Sequence, residues 1–267
     1  MTTEGRLFPD MASRLIRRYG YAKVLRHARE AGVRETVEKA ALVPVRWCGW
    51  GRSYLAARAF DRRHGLRTSG QVSLEDLARD GLPVEDSHAY LPTPMNVIPD
   101  VLSRLAIDCG TFTFVDLGSG KGAALLAAAE MNFRRIIGVE FSRSLQAISV
   151  ANVRTYRRER HLHGEIDILN IDVRDFEFPD DRLVVYAFNP FEADLLCQVI
   201  EKLAMSYRNK PRKMFLVYLN ATRKINPRAI VAKFGFMAEI PVFGHLDRAL
   251  FYARCPFPVA VWTTAGA

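Results

Sequence analysis

Apolar positions along the chain follow two periods, one helical and one of short continuous runs. Leu15, Tyr19, Ala22 and Leu25 recur at near-helical spacing with arginines and a lysine between them, and Val33, Val37 and Ala41 extend the stripe. The spacing predicts helix over 12–40. Pro44 and the run Gly49-Trp50-Gly51 predict an interruption, with a further short helix from Tyr54 to Asp61. From Asp61 to Pro83 the chain is polar and carries Gly65, Gly70 and Gly81, which reads as a connection.

Beyond Asn96 the pattern changes. Val97, Val101, Leu102 and Leu105 describe a helix. Thr113-Phe114-Val115 reads as a buried strand ending at Asp116, and alanine-rich Lys121 to Met131 as a helix. Arg135 to Val139 is a second strand, and Ser142 is placed to cap a helix carrying Leu145, Ile148 and Ala151. Ile166 to Leu169 and Leu183 to Phe188 follow as strands, the latter continuous and apolar as in a sheet covered on both faces. A helix with Leu195, Leu196, Val199, Ile200 and Leu203 leads to a fifth strand, Lys213 to Leu219. Two more strand-like runs come late, at Met237 to Val242 and at Phe251 to Ala253 or Val259 to Trp262. Strands alternating with helices predict an α/β fold with a doubly wound, mostly parallel sheet and helices on both faces. Residues 86–267 form that domain, and residues 1–85 a helical extension. Ligands bind such sheets beyond the carboxyl ends of the strands, so chemistry is sought there.

Of the 267 residues, 49% are hydrophobic and 25% charged, enough for a sizeable core. The longest apolar stretches, near Ala40 to Val45 and Leu183 to Phe188, fall far short of the roughly 20 residues of a membrane span. The N-terminus has arginines but no apolar signal segment, and Glu4 and Asp10 argue against a transit peptide. Cys48, Cys109, Cys197 and Cys255 include no CxxC pair and no histidine at metal spacing. Thiols in a reducing cytoplasm are expected, with neither a disulfide framework nor a metal site. The net charge of +9 is lopsided: residues 1–68 hold 15 Lys and Arg against 6 Asp and Glu, while the remainder holds 23 of each. A basic extension attracts polyanions or simply solvates a helix, and its arginines are interleaved with apolar residues rather than forming a block.

After the first strand comes Asp116-Leu117-Gly118-Ser119-Gly120-Lys121-Gly122-Ala123. Alternate glycines let the backbone turn sharply into a helix and let a ligand approach main-chain amides. The loop is not a P-loop, since no Gly-Lys-Ser/Thr follows, but Gly118, Gly120 and Ala123 also satisfy the dinucleotide pattern. A nicotinamide or flavin enzyme therefore stays open at this point. Asp116 tilts the choice: an acid at the strand's end is a poor neighbour for a pyrophosphate and suits a ligand bearing an ammonium and a sulfonium. Glu140, 24 residues beyond Asp116, stands near the distance expected for an acid that holds ribose hydroxyls, with Phe141 beside it. At the end of the fourth strand, Asn189, Pro190 and Phe191 place an amide, a carbonyl and a ring where substrate should meet cofactor. The amide oxygen of Asn189 and the carbonyl of Pro190 suit an amine's hydrogens, and Phe191 suits a methyl with partial positive charge.

Phe114-Val115-Asp116-Leu117-Gly118-Ser119-Gly120-Lys121-Gly122 closely resembles the first motif of class I, seven-stranded S-adenosylmethionine-dependent methyltransferases, and Ile136-Ile137-Gly138-Val139-Glu140 resembles their second. The resemblance covers about residues 86–220. It implies a Rossmann-like seven-stranded sheet and S-adenosylmethionine as cofactor, with Asp116, Gly118, Ser119, Gly120 and Gly122 around its methionine part and Glu140 on its ribose. By the same resemblance Asp172 receives the adenine amino group and the Val173 amide a ring nitrogen, with Asp175 as competitor. Asn189-Pro190-Phe191 is similar to the Asn-Pro-Pro-aromatic motif of amino-group methyltransferases but lacks the second proline. Tyr90-Leu91-Pro92-Thr93, within Asp86 to Pro94, is similar to a Tyr-x-Pro-Thr stretch that lies over the cofactor in some lysine-directed members. Tyr90 joins the catalytic candidates and Thr93 the cofactor-binding ones. The implied activity is methyl transfer to an amino group, on a protein lysine or a small amine. The alternatives are a nucleic-acid methyltransferase gripping phosphates with its basic extension, a nicotinamide-dependent oxidoreductase, and a non-catalytic scaffold. Acceptor, oligomeric state and regulation are not encoded in these motifs.

Overall fold

The computed structural model describes residues 33–79, 89–160, 162, 164–219 and 225–265. The predicted helix over 12–40 up to Gly32, and Asp86, Ser87 and His88, lie outside the described residues. In chain order the elements are α1 (Val33–His64), α2 (Leu74–Arg79), α3 (Val97–Leu105), β1 (Thr113–Leu117), α4 (Ala123–Ala129), β2 (Arg135–Val139), α5 (Arg143–Glu159), β3 (Glu165–Leu169), β4 (Leu183–Phe188), α6 (Ala193–Asn209), β5 (Met214–Leu219), α7 (Pro227–Ala232), β6 (Met237–Ile240), α8 (His245–Tyr252) and β7 (Val259–Thr264).

The seven strands form one sheet in the order β3-β2-β1-β4-β5-β7-β6. β1 to β5 pair in parallel, and β7 runs antiparallel to both β5 and β6. This is the doubly wound, mostly parallel seven-stranded sheet anticipated above. The order reverses between β1 and β4: the chain winds outward through β2 and β3, then crosses to β4. The loops leaving β1 and β4 therefore diverge, opening a crevice at the carboxyl edge.

Side chains of the central strands alternate between two cores. Val115, Leu117, Leu183, Val185, Leu216 and Tyr218 pack on one face with α6 residues such as Leu196 and Leu203. Phe114, Val184, Tyr186, Phe215 and Val217 pack on the other with Val101 of α3 and Leu125 of α4. Both faces are dry, which is why these strands read as unbroken apolar runs. By the same alternation Asp116 shares a face with Phe114, and its register partner across the β1–β4 pair is Tyr186.

Several elements differ from expectation: helix α2 stands in the stretch read as connection, β6 ends at Ile240, and α7 and α8 stand where no helix is expected. The helix predicted to break at Pro44 and Gly49-Trp50-Gly51 is continuous from Val33 to His64. A Cβ at Gly49 would overlap the carbonyl oxygen of Tyr252, so that glycine marks the close crossing of α1 over α8 rather than a turn. The alanine-rich helix spans Ala123–Ala129, because Gly120 and Gly122, just ahead of it, are themselves left-handed at φ 54 and 84. Phe251 belongs to α8, and the last strand is Val259–Thr264. Ser142 caps α5 as anticipated, its Oγ accepting the Leu145 amide at 3.3 Å. No helix among the described residues is long and apolar enough to cross a membrane.

Candidate active site

One cavity opens at the carboxyl ends of β1, β2 and β4. Its wall includes Tyr90, Thr93, Asp116, Gly118, Ser119, Glu140, Phe141, Asp172, Val173, Asn189, Pro190 and Phe191. Twelve of the fourteen candidates are thus brought together from five separate stretches of chain. Gly120 and Gly122 do not line it; they shape the loop behind it.

The loop is built by exclusion of side chains. Gly118 sits at φ 77, and a Cβ there would come within 2.7 Å of Pro190 Cβ. The loops after β1 and β4 therefore touch directly. A Cβ on Gly120 would overlap the ring of Tyr90, whose hydroxyl is anchored on the Thr68 carbonyl at 2.8 Å. Gly120→Ala is expected to combine the left-handed cost of about 1 kcal/mol with a ring displacement that opens the loop. Titration of the variant with S-adenosylhomocysteine should show at least a tenfold loss of affinity, on the order of the 1.4 kcal/mol that a decade represents. Wild-type affinity would show that the loop tolerates the shift.

Two carboxylates dominate the electrostatics. Asp116 is 3% exposed, and among the described residues its carboxylate makes no hydrogen bond or ion pair. Burial, reinforced by the charge of Glu140, holds its pKa well above the ordinary carboxylate value. Glu140 is 8% exposed. Its Oε2 accepts the Gly120 amide and its Oε1 the Ser142 amide, both at 2.7 Å. Burial raises its pKa, and the amides of Ser142, Gly120 and Phe141 partly offset that. Asn170 steadies this corner by donating through Nδ2 to the carbonyls of Glu140 and Phe141 at 3.0 and 2.9 Å. The two acids face one cavity, and neither forms an ion pair among the described residues. Ser119 Oγ, in the same wall, is buried with no hydrogen-bond partner. Two buried acids without an ion-pair partner are an unmet demand for a cation with further polar atoms. This fits S-adenosylmethionine better than a pyrophosphate, which would add negative charge beside Asp116.

At the far end Asp172 caps a short 3₁₀ turn over Val173–Asp175. It accepts the Arg174 amide at 2.8 Å and meets the Arg174 guanidinium at 3.0 Å. Its competitor Asp175 is exposed and does not line the cavity. Thr93 is buried, with its hydroxyl 3.1 Å from that of Tyr186.

The opposite end of the cavity centres on Asn189, 3% exposed and held at φ 42, in the left-handed region. Its Oδ1 accepts a hydrogen bond from the Tyr218 hydroxyl at 3.3 Å. Burial pushes the Tyr218 phenol far up, so it stays a donor. Sequence reasoning missed Tyr218 because it lies on β5, 29 residues from Asn189, and carries no linear motif. It missed Lys121 too, although that residue stands inside the glycine loop: Nζ donates to the carbonyls of Ser69 and Gly70, each at 3.1 Å. No signal in the loop names those distant carbonyls.

The family described as "DOT1: Histone methylation protein DOT1" matches residues 86–190. That stretch, less than half the chain, contains every site candidate except Phe191. No curated protein matches the chain. Among solved structures, an RNA methyltransferase from Salinibacter ruber in complex with S-adenosyl-L-homocysteine is similar at 16% identity and a TM-score of 0.44, over 65% of this chain and 92% of that one. A ribosomal protein L11 methylase from Lactobacillus delbrueckii subsp. bulgaricus is similar at 10% identity and 0.42, over 64% and 76%. A predicted N6-adenine-specific DNA methylase from Listeria monocytogenes is similar at 14% identity and 0.45, over 66% and 52%.

Proposed function

We propose that the chain is an S-adenosylmethionine-dependent methyltransferase acting on an amino group of a protein lysine or a small amine. The observation that carries the reading is the pair of buried acids, Asp116 and Glu140, facing one cavity with no ion-pair partner among the described residues. The match of residues 86–190 to the histone methylation family supports it.

Asp116 and Ser119 hold the methionine end of the cofactor, Asp116 taking its ammonium. Glu140 takes ribose hydroxyls on the lone pairs its two amide donors leave free. Asp172 and the Val173 amide hold the base. Bound there, S-adenosylmethionine supplies a methyl group activated as a sulfonium. The protein's share is alignment in a dry pocket. Asn189 Oδ1 keeps a second lone pair beside the one that Tyr218 occupies, and with the Pro190 carbonyl it accepts the amine's hydrogens and orients the nitrogen. Phe188, Phe191 and Leu195 wall out water. The ring of Tyr90 closes the side over the glycine loop, its hydroxyl being donated to Thr68.

A second reading, a nucleic-acid acceptor, has one specific observation in its favour. Exposed Arg62, Arg63 and Arg67 belong to the segment that packs on α5, a helix whose own exposed residues include Arg154 and Arg158. The His64–Glu159 contact at 2.7 Å and the bond from the Arg67 amide to Asn152 at 2.9 Å hold them together. Calorimetry with S-adenosylhomocysteine and NADH should show binding of the first alone. A tritiated-methyl assay on fractionated lysate should then place label in protein or small amines. Label confined to nucleic acid, with affinity falling steeply in salt, would replace the first reading by the second.

A further inference from the structure

We propose that Lys121 is a positioning residue for the cofactor loop: it clamps a strap, residues 61–72, onto that loop, so that chain ahead of the sheet completes the cofactor site. The inference rests on the cofactor reading above.

Lys121 stands between Gly120 and Gly122, and it is tied to the strap at both ends. Its ammonium donates to the Ser69 and Gly70 carbonyls at 3.1 Å each and lies 5.0 Å from the centre of the Tyr90 ring. Its own carbonyl accepts from Asn152 Nδ2 at 2.9 Å, and Asn152 Oδ1 accepts the Arg67 amide at 2.9 Å. Two carbonyls accept from the ammonium, and the Tyr90 ring lies within cation–π range of it. Burial lowers the Lys121 pKa, against the opposing pull of the Asp61 charge. A half-buried cation bonded to main-chain carbonyls depends on the path of the strap, not on a surface charge that any carboxylate would satisfy.

The strap is shaped for this contact. The Asp61 carboxylate accepts the Thr68 amide at 3.0 Å, the Thr68 hydroxyl at 2.7 Å and the Ser69 amide at 2.6 Å. Burial pushes the Asp61 pKa up, but the bonds from Ser69 and Thr68 outweigh it and hold the carboxyl below its ordinary value. Val72 pairs with Tyr90 through amide–carbonyl bonds of 3.0 and 3.3 Å, and Tyr90 lies over Gly120 with its hydroxyl on Thr68. The loop is thus held from its outer side by residues about 50 positions earlier in the chain. The cavity feels this through the Tyr90 ring in its wall and through the Gly120 amide, which donates to Glu140 Oε2, so a shift of the loop moves a carboxylate that faces the ligand. Coupling of this kind is reciprocal. If the strap favours the ligand-competent loop, ligand must in turn quiet the strap.

The test is titration of the full chain with S-adenosylhomocysteine, together with hydrogen exchange read by mass spectrometry. Lys121→Met should weaken binding about tenfold, within the usual range of intersite coupling, and Lys121→Arg should recover part of the loss. In the wild type the ligand should slow exchange of the Thr68, Ser69 and Val72 amides; in Lys121→Met that protection should vanish. If Lys121→Met fails to fold, Asp61→Asn, which loosens the strap from its own side, is read the same way. Unchanged affinity in the folded variant, or equal strap protection with and without the ammonium, overturns the clamp and leaves the cofactor reading standing. A wild type that binds no S-adenosylhomocysteine overturns both.

Discussion

Asp116→Asn should lose S-adenosylhomocysteine binding by about 100-fold, near the 1.5–3 kcal/mol of a hydrogen bond to a charged group. The ligand-free variant should unfold at a higher temperature than the wild type. Both follow from one fact: the fold buries this carboxylate without a partner and holds its pKa well above the ordinary value, through burial first and the charge of Glu140 second. A carboxyl whose folded pKa is raised is stabilised by protonation. As pH falls from the raised value towards the ordinary one near about 4, the ligand-free fold therefore gains stability from this group. Binding of the cofactor's ammonium needs the ionised form, so affinity falls over the same window. Calorimetry and thermal melts across that range should give slopes of opposite sign in the wild type, and neither slope from this group in Asp116→Asn. An Asn variant that binds as well as the wild type would remove Asp116 from the cofactor's grip.

Asn189→Ala should cut methyl incorporation by about 100-fold, the order expected when a positioned polar group is removed from the reacting centre, with S-adenosylhomocysteine affinity changed by less than about twofold. The backbone complicates the reading, since alanine at φ 42 costs about 1 kcal/mol. Asn189→Gly relieves that strain while also deleting the amide. Equal losses of transfer in both variants assign the effect to the amide oxygen. A glycine variant with full turnover would assign it to backbone strain and take Asn189 out of the acceptor site.

The fold and the placement of the candidate site's central residues were legible because their signals are local. Strands covered on both faces must be apolar throughout, so β4 and β5 announced themselves as unbroken runs. A ligand loop between strand and helix needs left-handed turns, so Gly118 and Gly120 announced theirs. Asp116, Glu140 and Asn189 each stand at the carboxyl end of a parallel strand, and the alternation of strands and helices alone sends those ends to one edge. The residues around them were not legible. Tyr218 meets Asn189 only because β4 and β5 are neighbours in the sheet, and one strand's side chains do not state which strand lies beside it. Gly49 read as a breaker because a glycine that permits a turn and one that permits a close helix crossing are the same letter; the carbonyl of Tyr252 decides between them. The stretch from Asp61 to Pro83 read as mere connection because it is polar, yet its carbonyls bind Lys121 some 50 residues away. Local sterics and hydrophobic periodicity are written into the chain itself. Partners for buried polar groups are chosen among segments far apart in sequence, and only the folded packing makes that choice.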